Sequence, residues 1–372
     1  MSIGEYTQEQ NQFRELVRRF VAEKFPESEV RRLMETEEGY DPKLWAQAAE
    51  QLGLQGIAIP EEYDGSGSGW IELGIILEEF GKALVTLPSF STVVFGATTL
   101  LESGDDQAKE KYLPGIASGE TIATLALVED SSRWDEEGVQ LKAEKSGDGW
   151  ALTGTKPYVL DGHVANLILV AARTPKGVSI FAVDGDASGL TRTPLKTLDL
   201  TRKYAKIEFA GTPAELIGTE GEGWKVLSRV LDFAAVGLAA EQAGGARAAL
   251  DMAVDYMKVR VQFGQLIGSF QALKHMAADV LVEVESAKSA ADYAVWAAAE
   301  DNEELPAAAS LAQSYNTDAF VFAAHQNIQF HGGMGFTWEM GPHLYFKRAR
   351  GSELLLGDAF YHREILAQRI GV

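Results

Sequence analysis

The 372 residues, 46% hydrophobic and 23% charged, can bury two or three packed units and lie far from the composition of a disordered chain. A formal net charge of −21 at pH 7, with no basic block to offset it, argues against nucleic acid or an anionic membrane as partner; any anionic ligand needs a local basic or backbone-amide site. The absence of cysteine excludes disulfides, thiolate nucleophiles and Cys-based metal centres.

The N-terminal stretch MSIGEYTQEQNQFREL is polar, with no apolar signal region behind it. No run of some twenty apolar residues could span a bilayer, so a cytoplasmic protein is expected. Phe13, Leu16, Val17, Phe20 and Val21 recur at helical spacing and predict an amphipathic helix between Thr7 and Pro26. Helical patterns continue over Pro42–Leu52 and Trp70–Leu84, divided by the turn-rich PEEYDGSGSG at Pro60–Gly69. Residues 1–120 are therefore expected to form a helical domain.

Between Thr121 and Gly218 the texture changes to short β-prone runs, Ala123–Val128, Trp150–Leu152, Asn166–Ala171 and Val178–Val183, punctuated by Gly, Asp, Ser and Pro. No ten-residue helical pattern separates them, which disfavours a doubly wound parallel sheet and NAD binding. An antiparallel, barrel-like β domain over residues 121–220 is expected. Beyond Gly223 the helical period returns in Ala234–Met257, Gln271–Ala299 and Leu305–Gln329. Residues 221–372 are expected to form a four-helix bundle carrying oligomer contacts, which makes the fold class α+β.

Arg260 ends an alanine-rich helix and is followed by Phe263, Gly264 and Gln271, a spacing that puts a guanidinium and an amide around one turn. Such a turn suits a pyrophosphate, because arginine offers planar donors and glycine allows close backbone approach; a surface arginine capping a helix is the alternative. Gln329, Gly332, Gly333 and Gly335 stand at the end of another helix, where glycines permit positive φ and close ligand contact, or merely cap the helix. His275, His325 and His331 lack ligand-spaced carboxylates, so structural or solvated roles and no metal are expected. Ser66 and Ser68 lie in a glycine-rich loop without a nucleophile-elbow context.

Four stretches, LGLQGIAIPEEYDGSG (Leu52–Gly67), GWALTGTKPYVLDG (Gly149–Gly162), RVQFGQLIGSFQ (Arg260–Gln271) and QFHGGMGFTWE (Gln329–Glu339), give the chain a resemblance to the acyl-CoA dehydrogenase family over essentially its whole length. The resemblance implies FAD as cofactor, an acyl-CoA substrate dehydrogenated between its α and β carbons, and electron-transfer flavoprotein as acceptor. It implies that Arg260, Gln262, Phe263 and Gln271 hold the FAD pyrophosphate and adenosine. Gln329, Gly332 and Gly333 would reach FAD in a neighbouring subunit, and Val128, Tyr158 and Leu160 would face the flavin from the β domain.

The family's chemistry needs a buried carboxylate as base. In many members that Glu lies in a C-terminal loop of the form Tyr-Glu-Gly-Thr, which corresponds here to Leu355-Leu356-Gly357-Asp358 and makes the base position Leu356. In another branch it lies on the first long helix of the C-terminal domain, and the matching residue is Ala234. A neighbouring substrate-side Arg corresponds to Ala235, a flavin-contacting Thr to Leu160 and a hairpin Trp to Tyr158. The combination resembles the shorter subunits of two-chain, α2β2 actinobacterial dehydrogenases of steroid-derived CoA thioesters, where a homologous partner supplies the Glu.

Two other readings stay open at this point. One is a self-sufficient homotetramer using a non-standard carboxylate, Glu241 or Asp358, with Glu353 as a further acid. Glu241 reads rather as a packing carboxylate paired with Arg or Lys, and Asp358 rather as the N-cap of a terminal helix. The other is a non-catalytic scaffold or DNA-associated relative of the same fold.

Overall fold

Thr7 starts the first helix of the computed structural model, which describes residues 6–372. Its hydroxyl accepts the Gln10 amide while the Gln10 side chain returns to the Thr7 amide, a reciprocal cap that opens α1 (Gln8–Lys24). α2 (Glu27–Met34), α3 (Pro42–Leu52), α4 (Trp70–Ala83), α5 (Thr98–Glu102) and α6 (Asp106–Ala117) complete a helical N-terminal region. Asp41 caps α3 and Asp105 caps α6 through their carboxylates. Ahead of α5 the buried run Phe90–Ala97 winds as a π-helix.

Seven strands follow: β1 (Ala123–Ala126), β2 (Lys142–Ser146), β3 (Gly149–Leu160), β4 (Leu167–Thr174), β5 (Gly177–Asp184), β6 (Leu190–Pro194) and β7 (Tyr204–Ile217). Their order is β1-β4-β2-β3-β7-β5, and β5 pairs again with β4, so the sheet closes into a barrel with β6 appended to β7. Most pairs run antiparallel as expected, but β1–β4 and β2–β4 are parallel. The intervening β2–β3 hairpin is the crossover that brings β4 alongside β1 in the same direction. The run expected at Trp150–Leu152 is the start of a far longer strand, β3, whose register shifts at Leu152/Thr153 and Lys156/Val159 carry it past Gly154 and Pro157.

The C-terminal region is helical: α7 (Gly223–Val259), a two-stranded hairpin of β8 (Val261–Gln262) and β9 (Gln265–Leu266), then α8 (Gln271–Ala299), α9 (Leu305–His331), α10 (Pro342–Leu354) and α11 (Ala359–Ile370). α9 packs against α8, α10 and α11. Gly245 of α7 sits against the Phe320 ring of α9, and Gln242 donates to the Thr317 hydroxyl at 3.1 Å. No helix among the described residues is long and apolar enough to cross a membrane.

Contact density divides the chain into two units, with the boundary inside α7. One holds the chain through Arg31, Trp70–Val85 and Ala235–Val372; the other holds Arg32–Gly69 and Thr86–Ala234. In the first, α4 and α7 touch backbone to backbone, since a Cβ on Gly81 would lie 2.0 Å from the Glu241 carbonyl and one on Gly244 1.9 Å from that of Glu78. Beside that crossing Glu78 gathers Arg14 at 2.5 Å, Lys82 at 3.1 Å and Lys288 at 3.3 Å. These cations outweigh burial and hold its carboxyl down at about 2. In the second unit the barrel closes on Phe181, against whose ring Trp150 packs edge-on at 5.3 Å.

Candidate functional site

The turn predicted to hold a pyrophosphate is a tight hairpin. The Arg260 amide donates to the Tyr256 carbonyl at 2.9 Å as α7 ends, and the Arg260 carbonyl accepts the Ile267 amide at 2.8 Å. Gln262 faces Gln265 across a two-residue tip, Phe263 at φ 55° and Gly264 at φ 78°. Positive φ at both tip positions matches the right-handed twist of a short hairpin, although Phe263 is an unusual residue to accept it. The Phe263 side chain is 91% exposed, and Val259, Val261 and Leu266 around it are exposed as well. Among the described residues no ion pair reaches the Arg260 guanidinium, and Gln271 stands exposed as the first residue of α8.

The glycine turn lies at the same end of this unit. Ile267, just past the hairpin, joins Ala253 and Met257 of α7 and Phe330 of α9 in a small apolar cluster. The Tyr256 ring stacks on His331, centroids 4.0 Å apart, and His331 Nδ1 bonds the Asn327 carbonyl at 2.8 Å, so this histidine is structural. Burial pushes its pKa down. Gly332 ends α9 at φ 60°. A Cβ at Gly264, Gly332 or Gly333 would meet nothing within 4 Å, so the backbone of both turns is open to a ligand. The Tyr256–His331 stack thus brings the arginine turn and the glycine turn to one end of this unit.

In the other unit, Val128 follows the end of β1 and is buried, as is Leu160 at the end of β3, whereas Tyr158 is 56% exposed. Thr124 of β1 donates its hydroxyl to the Leu160 carbonyl at 2.6 Å. A residue that motif spacing does not single out, Lys156, lies fully buried in β3 with its ammonium on the Leu127 carbonyl and the Glu129 carboxylate, 2.7 Å from each. The signal available in the sequence was a lone lysine inside a β run.

The positions that the resemblance matches to a base hold no carboxylate. Leu356 is buried at φ 70° between α10 and α11, with its carbonyl bonded to His362 Nε2 at 3.0 Å, and Ala234 and Ala235 are buried within α7. Each residual acid has structural work. Glu241 is buried and ion-paired with Arg348 at 2.8 Å. Asp358 caps α11 by accepting the Tyr361 amide at 2.8 Å, and Glu353 pairs with Arg350 at 2.6 Å.

Comparison with known proteins points one way. The family model for the acyl-CoA dehydrogenase C-terminal domain matches residues 221–371, and that for the N-terminal domain matches residues 7–120. Acyl-CoA dehydrogenase IpdE2 of Mycolicibacterium smegmatis is 35% identical over 350 residues, 92% of this chain and 94% of the relative. Among solved structures, a Tcur3481-Tcur3483 steroid ACAD variant superposes with a TM-score of 0.88 at 30% identity, covering 98% of both chains. The ChsE4-ChsE5 complex from Mycobacterium tuberculosis gives 0.91 at 27% identity, covering 100% of this chain and 99% of that one.

Proposed function

The chain belongs to the acyl-CoA dehydrogenase family, and from that premise we propose that it is the cofactor-gripping, base-lacking subunit of a two-chain enzyme acting on CoA thioesters of bulky, steroid-derived acids. The observation that carries this reading is chemical. Leu356 and Ala234 occupy the two positions where a member's base would stand, and neither side chain can accept a proton. The nearby acids Glu241, Asp358 and Glu353 are committed to Arg348, the α11 amide and Arg350. The flavin-facing position Leu160 is equally inert, since it has no hydroxyl to offer a ring atom.

The pyrophosphate-holding part of the cofactor site is better kept than the catalytic part. FAD is the family's cofactor and, when bound, accepts the hydride that leaves the β carbon of the thioester. Arg260 would give its planar donors to the pyrophosphate, and the open backbone at Gly264, Gly332 and Gly333 supports close approach of a phosphate or ribose. Phe263 offers an exposed ring for the adenine, and Gln262, Gln271 and Gln329 would supply neutral hydrogen-bonding groups to the cofactor. The local arginine answers the requirement set by the overall charge of −21. A homologous partner subunit contributes the catalytic carboxylate, electron-transfer flavoprotein takes the electrons, and the division near residues 120 and 220 separates helical, β and helical domains.

Co-expression with a base-carrying homologue tests the reading by native mass, flavin content and turnover of steroid-type CoA thioesters. The expected result is an inactive, flavin-poor chain alone and a yellow, active heterotetramer. A yellow, fully active species built from this chain alone refutes it.

A further inference from the structure

Residues 35–41, which join α2 to α3, are held to one corner of the barrel through their backbone. The corner is made by the chain just past β3 and the turn just ahead of β7, joined where the Asp161 amide donates to the Lys203 carbonyl at 2.9 Å. Lys203 donates its ammonium to the Met34 carbonyl at 2.7 Å, and the His163 ring bonds the Glu38 carbonyl through Nε2 at 3.2 Å. Gly39 is buried at φ 78° against the Lys203 stem, where a Cβ would lie 2.5 Å from Cγ. The side chains of Glu35, Glu37 and Glu38 stand exposed.

This geometry decides which nitrogen of His163 can take up a second proton. A carbonyl only accepts, so Nε2 carries the hydrogen and Nδ1 keeps the lone pair. Nδ1 is buried and has no hydrogen-bond partner, so a proton there would meet neither water nor an acceptor. The charged groups around the ring are Glu37 and Glu38 of the overlying segment, Lys203 across the corner, and Asp161 on the ring's own segment. Burial pushes the imidazole down from its ordinary 6.5 and Lys203 adds to the fall, while the Glu38 and Glu37 backbone and the Glu37 carboxylate oppose it only in part.

We propose that residues 35–41 form an acid-released strap, in which uptake of a proton by His163 frees the segment from the barrel corner. What the strap covers is polar. Asp161 is buried at φ 52° and accepts the Ser91 hydroxyl at 2.6 Å, and Tyr40, in the strap, has its hydroxyl pushed up by burial and by that same carboxylate. Release would bring water to the Ser91–Asp161 pair. The strap is a property of the fold and stands apart from the cofactor reading.

The strapped ring binds a proton less readily than a ring in water, so the strap is fully held above pH 6.5 and gives way as pH falls below it. One linked proton changes an opening equilibrium by at most about tenfold per pH unit. Amide hydrogen exchange of the full-length protein, followed by mass spectrometry from about pH 7.5 to 5.5 and corrected for the chemical exchange rate, reads the opening of residues 35–41. Opening should rise by about five- to tenfold over that range while β3 and β7 keep their protection. His163→Gln, which can still donate to the Glu38 carbonyl but takes up no proton, should give a flat profile. A flat wild-type profile, a rise shared equally by β3 and β7, or the same rise in His163→Gln overturns the proposal. If His163→Gln does not fold, the wild-type profile decides by the first two of these outcomes.

Discussion

Replacing Glu241 by Gln asks whether this acid is a base in waiting or part of the frame. Its carboxylate lies 2.8 Å from the Arg348 guanidinium, and both residues are buried. Removing one member of such a pair strands the other charge and costs about 3–5 kcal/mol, and glutamine, which keeps an acceptor, should fall at the lower end. At about 1–1.5 °C of midpoint per kcal/mol in a chain of this size, Glu241→Gln should melt about 3–5 °C below wild type. Glu241→Leu combined with Arg348→Met removes both charges and should recover most of that loss, giving a coupling energy in the double-mutant cycle of more than about 1 kcal/mol.

The assay is differential scanning of each variant in the assembled enzyme, with kcat measured below every midpoint. A structural Glu241 predicts a lowered midpoint and an unchanged kcat. A midpoint equal to wild type with kcat reduced by a factor of about 100 or more would make Glu241 the proton acceptor and overturn the argument that the base lies on a partner.

Arg260→Ala should weaken FAD binding by the assembly about ten- to hundredfold, the worth of charged hydrogen bonds to phosphate, as read by flavin retention on dilution. Equal retention removes the hairpin from the cofactor site. Burial lowers the His362 imidazole from its ordinary 6.5 to about 4, so its contribution to stability is complete above pH 6.5 and is lost as pH falls through about 4. His362→Gln, which can still donate to the Leu356 carbonyl, should flatten the fall of the melting midpoint over that window, and an unchanged slope refutes the assignment. Gly244→Ala should lower the midpoint by the equivalent of about 1–3 kcal/mol, because its Cβ would overlap the Glu78 carbonyl; an unaltered midpoint would mean α4 and α7 do not cross so closely.

The helical ends of the chain were the most legible, because long amphipathic periods survive any tertiary arrangement. α8 spans Gln271–Ala299 as its pattern predicts. α7 starts at Gly223 rather than Ala234 because alanine content marked only its second part, whereas its opening turns bury Leu227 and Val230 at a spacing of three. β7 carries a clear alternation, Ala205, Ile207 and Phe209 inward against Lys206 and Glu208, that a period-two count would find. β6 is a short, largely exposed strand with no such signature, and the π-helix at Phe90–Ala97 reads in sequence as any apolar helical run. The hairpin tip was hidden for a different reason: turns of that type favour Asn-Gly, and here Phe-Gly adopts it beside the bond between the Ile267 amide and the Arg260 carbonyl. Parallel pairing of β1 and β2 with β4 leaves no trace in local pattern at all, since a closed barrel buries strands of either sense alike.

The corner at Leu356 is held in a backbone conformation that its side chain does not favour. A bulky residue at φ 70° costs about 1–3 kcal/mol of backbone strain, and Gly357 beside it, at φ 97°, is the residue type that such geometry favours. The strain persists because the corner is fixed from three sides. His362 bonds the Leu356 carbonyl, Asp358 caps α11 immediately after it, and the leucine side chain is buried. An apolar side chain therefore sits on a backbone path that glycine or asparagine would follow more easily. A buried leucine excludes water and adds packing but moves no proton, so any catalytic role left to this corner is one of shape. That is consistent with the proposed subunit, whose arginine and glycine turns would serve the cofactor while the acid–base step falls to another chain.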